Sequence, residues 1–225
     1  MKIAIAQLNP TIGDLAGNAQ KILVAAQQAA DQGARLLLTP ELSLCGYPPR
    51  DLLMHPGFVA SMAKTLEQLA HELPRSLIAL VGTVELNPDS FLHGGKLLFN
   101  SMALLEDGKI RHIFHKRLLP TYDVFDEDRY FAPGQEANHF VLELGEAEGA
   151  GGATQNSKDL QRRRFANKTQ NPKLFSFPSS PASLAPSAPS PSLHIGVTIC
   201  EDLWNDEEFW GKRSYTVNPI ADLAQ

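Results

Sequence analysis

Apolar residues in the N-terminal part of the chain recur with strand spacing and with helix spacing in turn. Strands are predicted at Lys2–Gln7 and Leu36–Thr39, because each is a short apolar run followed by a turn that contains proline. A helix from about Asn18 to Gly33 is predicted between them, with an apolar face formed by Ile22, Ala25, Ala26 and Ala29. A second helix is predicted to end before Pro74, with an apolar face formed by Phe58, Met62, Leu66, Leu69 and Leu73.

The next part of the chain is rich in strand patterns. Apolar runs predict strands at Leu77–Val84, Leu97–Leu105 and Ile110–Phe114. The last two are separated by Glu106–Lys109, whose Asp-Gly pair is typical of a tight hairpin turn. Strands that first alternate with helices and then follow one another indicate a layered α/β protein.

The pattern is interrupted between about Ala147 and Leu193. This segment opens with a cluster of glycines, passes through Arg162–Arg164 and ends in a tract dominated by proline and serine. Such a composition cannot bury enough apolar surface to offset the entropy lost on ordering the backbone. We therefore predict that residues 147–193 are a disordered insertion within one domain of residues 1–225. The strand predicted at His194–Ile199 resumes the fold.

Composition and charge exclude several classes of function. The net charge of −5 argues against nucleic acid and anionic membrane partners, which select clustered positive charge. Apolar runs all fall short of the about 20 residues that a membrane-spanning helix requires. Two cysteines, Cys45 and Cys200, argue against a disulfide framework and for the reducing cytoplasm. No Cys-x-x-Cys or His-x-x-x-His pair occurs, so no metal site is predicted in this chain.

Three residues that follow predicted strands could together form a catalytic site. Cys200 could act as a nucleophile, but its thiol would need a nearby base or cation to supply thiolate. Glu41 lies in a largely apolar loop that would partly desolvate its carboxylate, as suits a general base, and the Lys116 ammonium could stabilise an oxyanion. Taken singly, each also fits an ordinary structural role, as a buried cysteine, a salt-bridged glutamate and an exposed lysine.

The sequences around these three residues resemble a known set of motifs. Pro40–Pro48, His115–Pro120 and Ile199–Asp202 resemble the glutamate, lysine and cysteine motifs of the nitrilase, or carbon–nitrogen hydrolase, superfamily. The resemblance implies a nitrilase-type αββα sandwich. It also implies that Glu41, Lys116 and Cys200 are the catalytic residues of an amidase. Cys45, which has no charged neighbour, is expected to be a small core residue.

The flanking sequences resemble one branch of that superfamily, the glutamine-dependent NAD⁺ synthetases. The similar stretches are Gly46–Leu53, Tyr122–Glu127 and Cys200–Trp204. This resemblance implies that the substrate is L-glutamine and that Tyr122, with Tyr47 and Glu201, contacts it. In these proteins ammonia passes to a C-terminal NAD⁺ synthetase domain that uses ATP and magnesium, whereas the amidase domain needs no cofactor. The full-length protein is expected to form a homo-oligomer.

The chain also departs from the pattern of that branch. The further strands expected after the cysteine motif are absent, so we expect the sandwich to be truncated at its C-terminal end. Two other functions remain open. One is a stand-alone nitrilase-type amidase with a different substrate, which would lack the synthetase-like flank at Gly46–Leu53. The other is an inactive fragment that serves only as an interaction module.

Overall fold

The main element of the fold is a five-stranded mixed sheet with strand order β1-β2-β3-β4-β5. The computed structural model describes residues 1–143, 191–205, 211–212 and 214–225. Short 3₁₀ helices occur at Arg50–Met54, Glu127–Arg129 and Cys200–Leu203. The strands and α-helices are β1 (Ile3–Ile5), α1 (Leu15–Asp31), β2 (Leu36–Leu38), α2 (Pro56–Glu72), β3 (Ile78–Leu86), α3 (Ser90–His93), β4 (Leu98–Glu106), β5 (Lys109–His115), β6 (His139–Glu143), β7 (Ser192–Gly196) and α4 (Pro219–Leu223).

The elements predicted before residue 116 are confirmed, with bounds that differ by at most three residues. Helix α1 begins earlier than its apolar face because Asp14 caps it: the Asp14 side chain accepts a hydrogen bond from the Gly17 amide. Gly33 follows the helix with a φ of 74°, the left-handed conformation that ends many helices. The turn between β4 and β5 also forms as predicted, with positive φ at Asp107 and Gly108.

Helices α1 and α2 pack together against one face of the sheet. Their predicted apolar faces are buried, except that Ala25 and Phe58 are only partly buried, and Val59 takes the core position beside Phe58. The sheet contributes mostly small or medium side chains to this core, namely Leu37, Ala79, Val81, Ala103 and Leu105. Burial of this apolar surface is the main source of stability for these two layers.

The strand directions bring particular loops to one edge of the sheet. Strands β1, β2 and β3 are parallel, whereas β4 runs antiparallel to β3 and β5 antiparallel to β4. The carboxyl ends of β2 and β5 therefore lie at the same edge as the start of β4. This edge carries the loop that contains Glu41, the segment that begins with Lys116, and Asn100 on β4.

Strands β6 and β7 form a separate two-stranded sheet. The strand predicted at His194–Ile199 instead spans Ser192–Gly196, because its pairing with β6 stops at Gly196, although the backbone is still extended at Ile199. The chain divides into two units, one of residues 1–141 with 194–225 and the other of residues 142–193. The predicted insertion, apart from its last three residues, lies outside the described residues and stays a prediction. None of the described helices is long and apolar enough to cross a membrane.

A close backbone approach fixes the loop that carries Glu41. The loop crosses β3 at Gly82, where an added Cβ would lie 2.3 Å from the Pro40 carbonyl oxygen and 2.4 Å from the Leu42 nitrogen. The Leu44 amide donates to the Gly82 carbonyl at 3.0 Å, which ties the loop to the strand. Only glycine permits this contact, since any side chain would push the loop away.

We expect Gly82→Ala to lower the free energy of unfolding by about 2 kcal/mol or more, because the new methyl group overlaps backbone atoms that cannot shift independently. Denaturant unfolding of the intact protein measures this loss. Gly57→Ala is the matched control: it lies in the first turn of α2 with no atom within 4 Å of an added Cβ. Its effect should stay within about 0.5 kcal/mol. Equal effects for the two variants would contradict the close approach.

Candidate active site

Lys116 is a buried ammonium held between two carboxylates. Its backbone is fixed on both sides: its amide donates to the Asn100 carbonyl at 2.8 Å, and its carbonyl accepts from the Gly134 amide at 2.8 Å. The Lys116 side chain is 0 % exposed, and its Nζ lies 2.7 Å from Glu41 Oε1 and 2.8 Å from Glu127 Oε2. Burial lowers the pKa of Lys116, but the attraction of Glu41 and Glu127 outweighs it, so the pKa is raised. Lys116 is therefore a cation at neutral pH.

Glu41 is the most accessible member of this group, with 17 % of its side chain exposed. Besides Lys116 Nζ, its Oε1 accepts a hydrogen bond from Asn100 Nδ2 at 2.6 Å. The partial desolvation predicted for Glu41 is thus confirmed. A carboxylate that is oriented by two donors and still reached by solvent can exchange a proton with a nearby group.

Glu127 and Asn100 complete the group and were not identified from the sequence. Glu127 is 5 % exposed, and burial followed by repulsion from Glu41 raises its pKa. Asn100 is fully buried and also approaches Glu127, with Nδ2 3.3 Å from Oε2. A polar residue inside the apolar run Leu97–Leu105 was the available signal for Asn100. For Glu127 the sequence offered no signal except its place in Tyr122–Glu127, a stretch that resembles the NAD⁺ synthetases.

Cys200 opens a 3₁₀ turn and adopts a φ of 46°, which is uncommon for a residue with a side chain. Asp202 holds this turn: one of its oxygens accepts from the Ile199 amide at 3.0 Å. The other accepts from the amides of Arg117 at 3.0 Å and Leu118 at 2.8 Å. A single buried carboxylate therefore links the turn of Cys200 to the segment that follows Lys116.

The thiol of Cys200 is influenced by the charged group formed by Glu41, Lys116 and Glu127. The residue as a whole is exposed, yet partial burial of the thiol and then the Glu41 carboxylate raise its pKa. Lys116 acts in the opposite direction but does not outweigh them. The thiol is therefore protonated at neutral pH and requires a base. The structure brings together the three residues that the sequence singled out: Lys116 Nζ lies 2.7 Å from Glu41, and Asp202 ties the turn of Cys200 to the segment that follows Lys116.

Beside Cys200, Glu201 is 5 % exposed and accepts hydrogen bonds from two tyrosines. Tyr122 Oη donates to its Oε2 at 2.9 Å, and Tyr215 Oη donates to its Oε1 at 2.8 Å. Tyr122 itself is 54 % exposed. Tyr122 and Glu201, which the sequence placed in one pocket, are thus in direct contact.

Tyr47 approaches Glu41, Lys116 and Glu127 through a hydrogen bond to Glu127. Its hydroxyl donates to Glu127 Oε1 at 3.0 Å, and it lines a cavity of about 240 Å³ together with Leu53, Asp126 and Phe131. Burial and the Glu127 carboxylate raise the pKa of Tyr47. Tyr47 thus contacts the charged group through Glu127, whereas Tyr122 and Glu201 adjoin Cys200.

The second cysteine has the role expected from its sequence context. Cys45 is 0 % exposed and packs within the hydrophobic core, and burial raises the pKa of its thiol to about 12. It is therefore poorly suited to form a thiolate. Across the described part of the chain, no group of three or more His, Cys, Asp or Glu side chains could hold a metal ion.

This chain is similar to proteins that are considerably longer than it is. A glutamine-dependent NAD(+) synthetase from Synechocystis sp. is 45% identical over 98% of this chain, which spans 31% of that protein. A solved structure of glutamine-dependent NAD⁺ synthetase from Acinetobacter baumannii is 39% identical, with a TM-score of 0.55. That match covers 63% of this chain and 25% of the other chain. This chain thus corresponds to about a third of the length of the curated relative.

An amidase provides a third comparison. A variant of the amidase from Nesterenkonia sp. AN1, solved with acrylamide added to its active-site cysteine, is 26% identical with a TM-score of 0.50. The match covers 64% of this chain and 54% of the amidase. The fold is of the nitrilase type, as the motifs implied. The profile of carbon-nitrogen hydrolases matches residues 2–209, and the chain therefore belongs to the carbon–nitrogen hydrolase family.

Proposed function

We propose that this chain hydrolyses the side-chain amide of L-glutamine and is the glutaminase part of a glutamine-dependent NAD⁺ synthetase. The observation that carries this proposal is the Glu41–Lys116 ion pair, at 2.7 Å. Asp202 ties the turn of Cys200 to the residues that follow Lys116, next to this pair. The similarity to NAD⁺ synthetases over 98% of the chain supports glutamine as the amide. The ammonia would serve a synthetase domain that uses ATP and magnesium, in the cytoplasm.

The reaction would begin with proton transfer from the Cys200 thiol to Glu41. The thiolate attacks the amide carbon, and the negative charge that develops on the amide oxygen is stabilised by the Lys116 ammonium and a backbone N–H. Glu41 then returns the proton to the departing nitrogen, which leaves as ammonia. A γ-glutamyl thioester remains on Cys200.

Water completes the cycle. Glu41 takes a proton from the water, which attacks the thioester carbon and releases glutamate, and the proton returns to the Cys200 sulfur. In this scheme Lys116 has a second role, because its ammonium fixes the position of the base. Glu127 and Asn100 would hold Lys116 and Glu41 in place without contacting the substrate.

The substrate pocket would be formed on the Glu201 side of Cys200. Glutamine carries an α-ammonium group, and Glu201 offers a buried carboxylate that can pair with it. Tyr122, which is exposed and bonded to Glu201, would contact the bound amino acid. Tyr47 would act at the edge of the same pocket, through its bond to Glu127.

We expect Cys200→Ala, Glu41→Gln and Lys116→Ala each to lower the rate of glutamine hydrolysis by about a thousandfold or more. The three variants remove the nucleophile, the base and the cation, respectively. Glutamate release by the intact protein measures this. NAD⁺ formation from added ammonia should persist, since that route bypasses the site.

Cys45→Ala is the control and should retain near wild-type hydrolysis. Substantial turnover in Cys200→Ala would disprove the assignment of the nucleophile. Hydrolysis of other amides but not of glutamine would instead favour the stand-alone amidase.

We expect Glu41→Gln to lower the pKa of Cys200, because it removes a negative charge that now raises that pKa. The rate of iodoacetamide addition to Cys200, followed on its peptide as the pH is raised, should therefore increase at a lower pH than in the wild type. Glu106→Gln is the control, because Glu106 pairs with Arg111 at the β4–β5 hairpin. An unchanged profile in Glu41→Gln would contradict the coupling of base and thiol.

A further inference from the structure

The carboxylate of Glu201 is held from two sides. Oε2 accepts a hydrogen bond from the Tyr122 hydroxyl at 2.9 Å, and Oε1 accepts one from the Tyr215 hydroxyl at 2.8 Å. Partial burial of the hydroxyls and then the Glu201 carboxylate raise the pKa of both tyrosines, so both remain protonated donors at neutral pH. The carboxylate is therefore fixed in one orientation next to Cys200.

Asn205 fixes the backbone of Tyr215. Its Oδ1 accepts from the amides of Ser214 and Tyr215, both at 3.0 Å. Its Nδ2 donates to the carbonyls of Tyr215 at 2.9 Å and Val217 at 2.6 Å. Asn205 is 3 % exposed, so the amide uses two acceptor and two donor positions in a buried place. These hydrogen bonds fix the position of the Tyr215 backbone, from which the hydroxyl reaches Glu201.

Glu201 is a buried carboxylate that lacks a cationic partner among the described residues, where no lysine, arginine or histidine nitrogen lies within 4.0 Å of it. Burying such a charge is costly unless donors or a counterion compensate it. The two tyrosines supply one hydrogen bond to each oxygen. A carboxylate has about four acceptor positions, so the two tyrosine hydroxyls leave acceptor capacity for a further donor such as an ammonium group.

We propose that Tyr215, held in place by Asn205, is a positioning residue that sets the orientation of Glu201 for the α-ammonium group of the substrate. This inference rests on the proposed glutaminase function and adds to it a selectivity for amides that carry an ammonium group. Tyr215 acts through Glu201 and takes no part in the chemistry at Cys200. Its loss therefore affects binding of the ammonium and leaves the thiol and its base unchanged.

The first test replaces Tyr215 by Phe, which keeps the ring and removes the hydroxyl. In the intact protein KM for glutamine should rise about tenfold, the effect of losing one hydrogen bond to a charged group, with kcat within about twofold. Glutaramate, which is glutamine without its α-amino group, should show the same kcat/KM in the variant and the wild type. Tyr130→Phe is the matched control, because its hydroxyl donates to Asp51 instead.

The second test asks whether Asn205 acts through Tyr215. Asn205→Ala should raise KM for glutamine to a similar extent, and the Asn205→Ala/Tyr215→Phe double variant should show no further rise. An unchanged KM in Tyr215→Phe would overturn the proposal. An equal loss of kcat/KM with glutamine and with glutaramate would overturn it too, since it would mean a general structural disturbance.

The two proposals fail in different ways. If Cys200→Ala abolishes hydrolysis while Tyr215→Phe leaves KM unchanged, the glutaminase function stands and only the role of Tyr215 is wrong. If Cys200→Ala retains hydrolysis, the glutaminase site itself is wrong. An additive effect of Asn205→Ala and Tyr215→Phe would show that Asn205 does not act through Tyr215.

Discussion

The burial of one ammonium group, that of Lys116, constrains much of the structure around the candidate site. A buried ammonium without compensating charge would cost several kcal/mol or would lose its proton. Here Glu41 and Glu127 lie within 2.7 and 2.8 Å of it and keep it charged. The two carboxylates also repel each other, and Asn100 helps by donating to both. The four side chains thus form one hydrogen-bonded group in which a single cation compensates two carboxylates.

The fold provides this arrangement through its strand order. Because β2, β3 and β5 run in the same direction, the residues that follow β2 and β5 meet at one edge, next to the start of the antiparallel β4. Gly82 lets the loop of Glu41 lie directly on β3. The Asp202 carboxylate then joins the turn of Cys200 to the segment after Lys116, because it accepts hydrogen bonds from backbone amides in both. The proposed nucleophile, base and cation are thus positioned by the strand order together with these side-chain contacts to the backbone.

The sequence predicted the layers and the main catalytic candidates because both depend on local patterns. Helix faces and strands were visible from apolar spacing, and Glu41, Lys116 and Cys200 followed predicted strands within recognisable motifs. Glu127, Asn205 and Tyr215 could not be identified this way. Their importance depends on hydrogen bonds made across loops, such as Tyr215 to Glu201, which leave no periodic pattern. The end of β7 is misplaced for a different reason: Val197 and Ile199 continue the apolar pattern after the strand has ended at Gly196.

The central claim is that Cys200 attacks the side-chain carbonyl of glutamine. A diazoketone analogue of glutamine tests it most directly, since its diazo carbon takes up a proton and the thiolate at the site then displaces dinitrogen to form a stable thioether. Peptide mapping of the intact protein after labelling should find one modification, on the Cys200 peptide, and excess glutamine should prevent it. Glutaminase activity should be lost in proportion to labelling. Inactivation with the label on Cys45, or on any other residue instead of Cys200, would contradict the account.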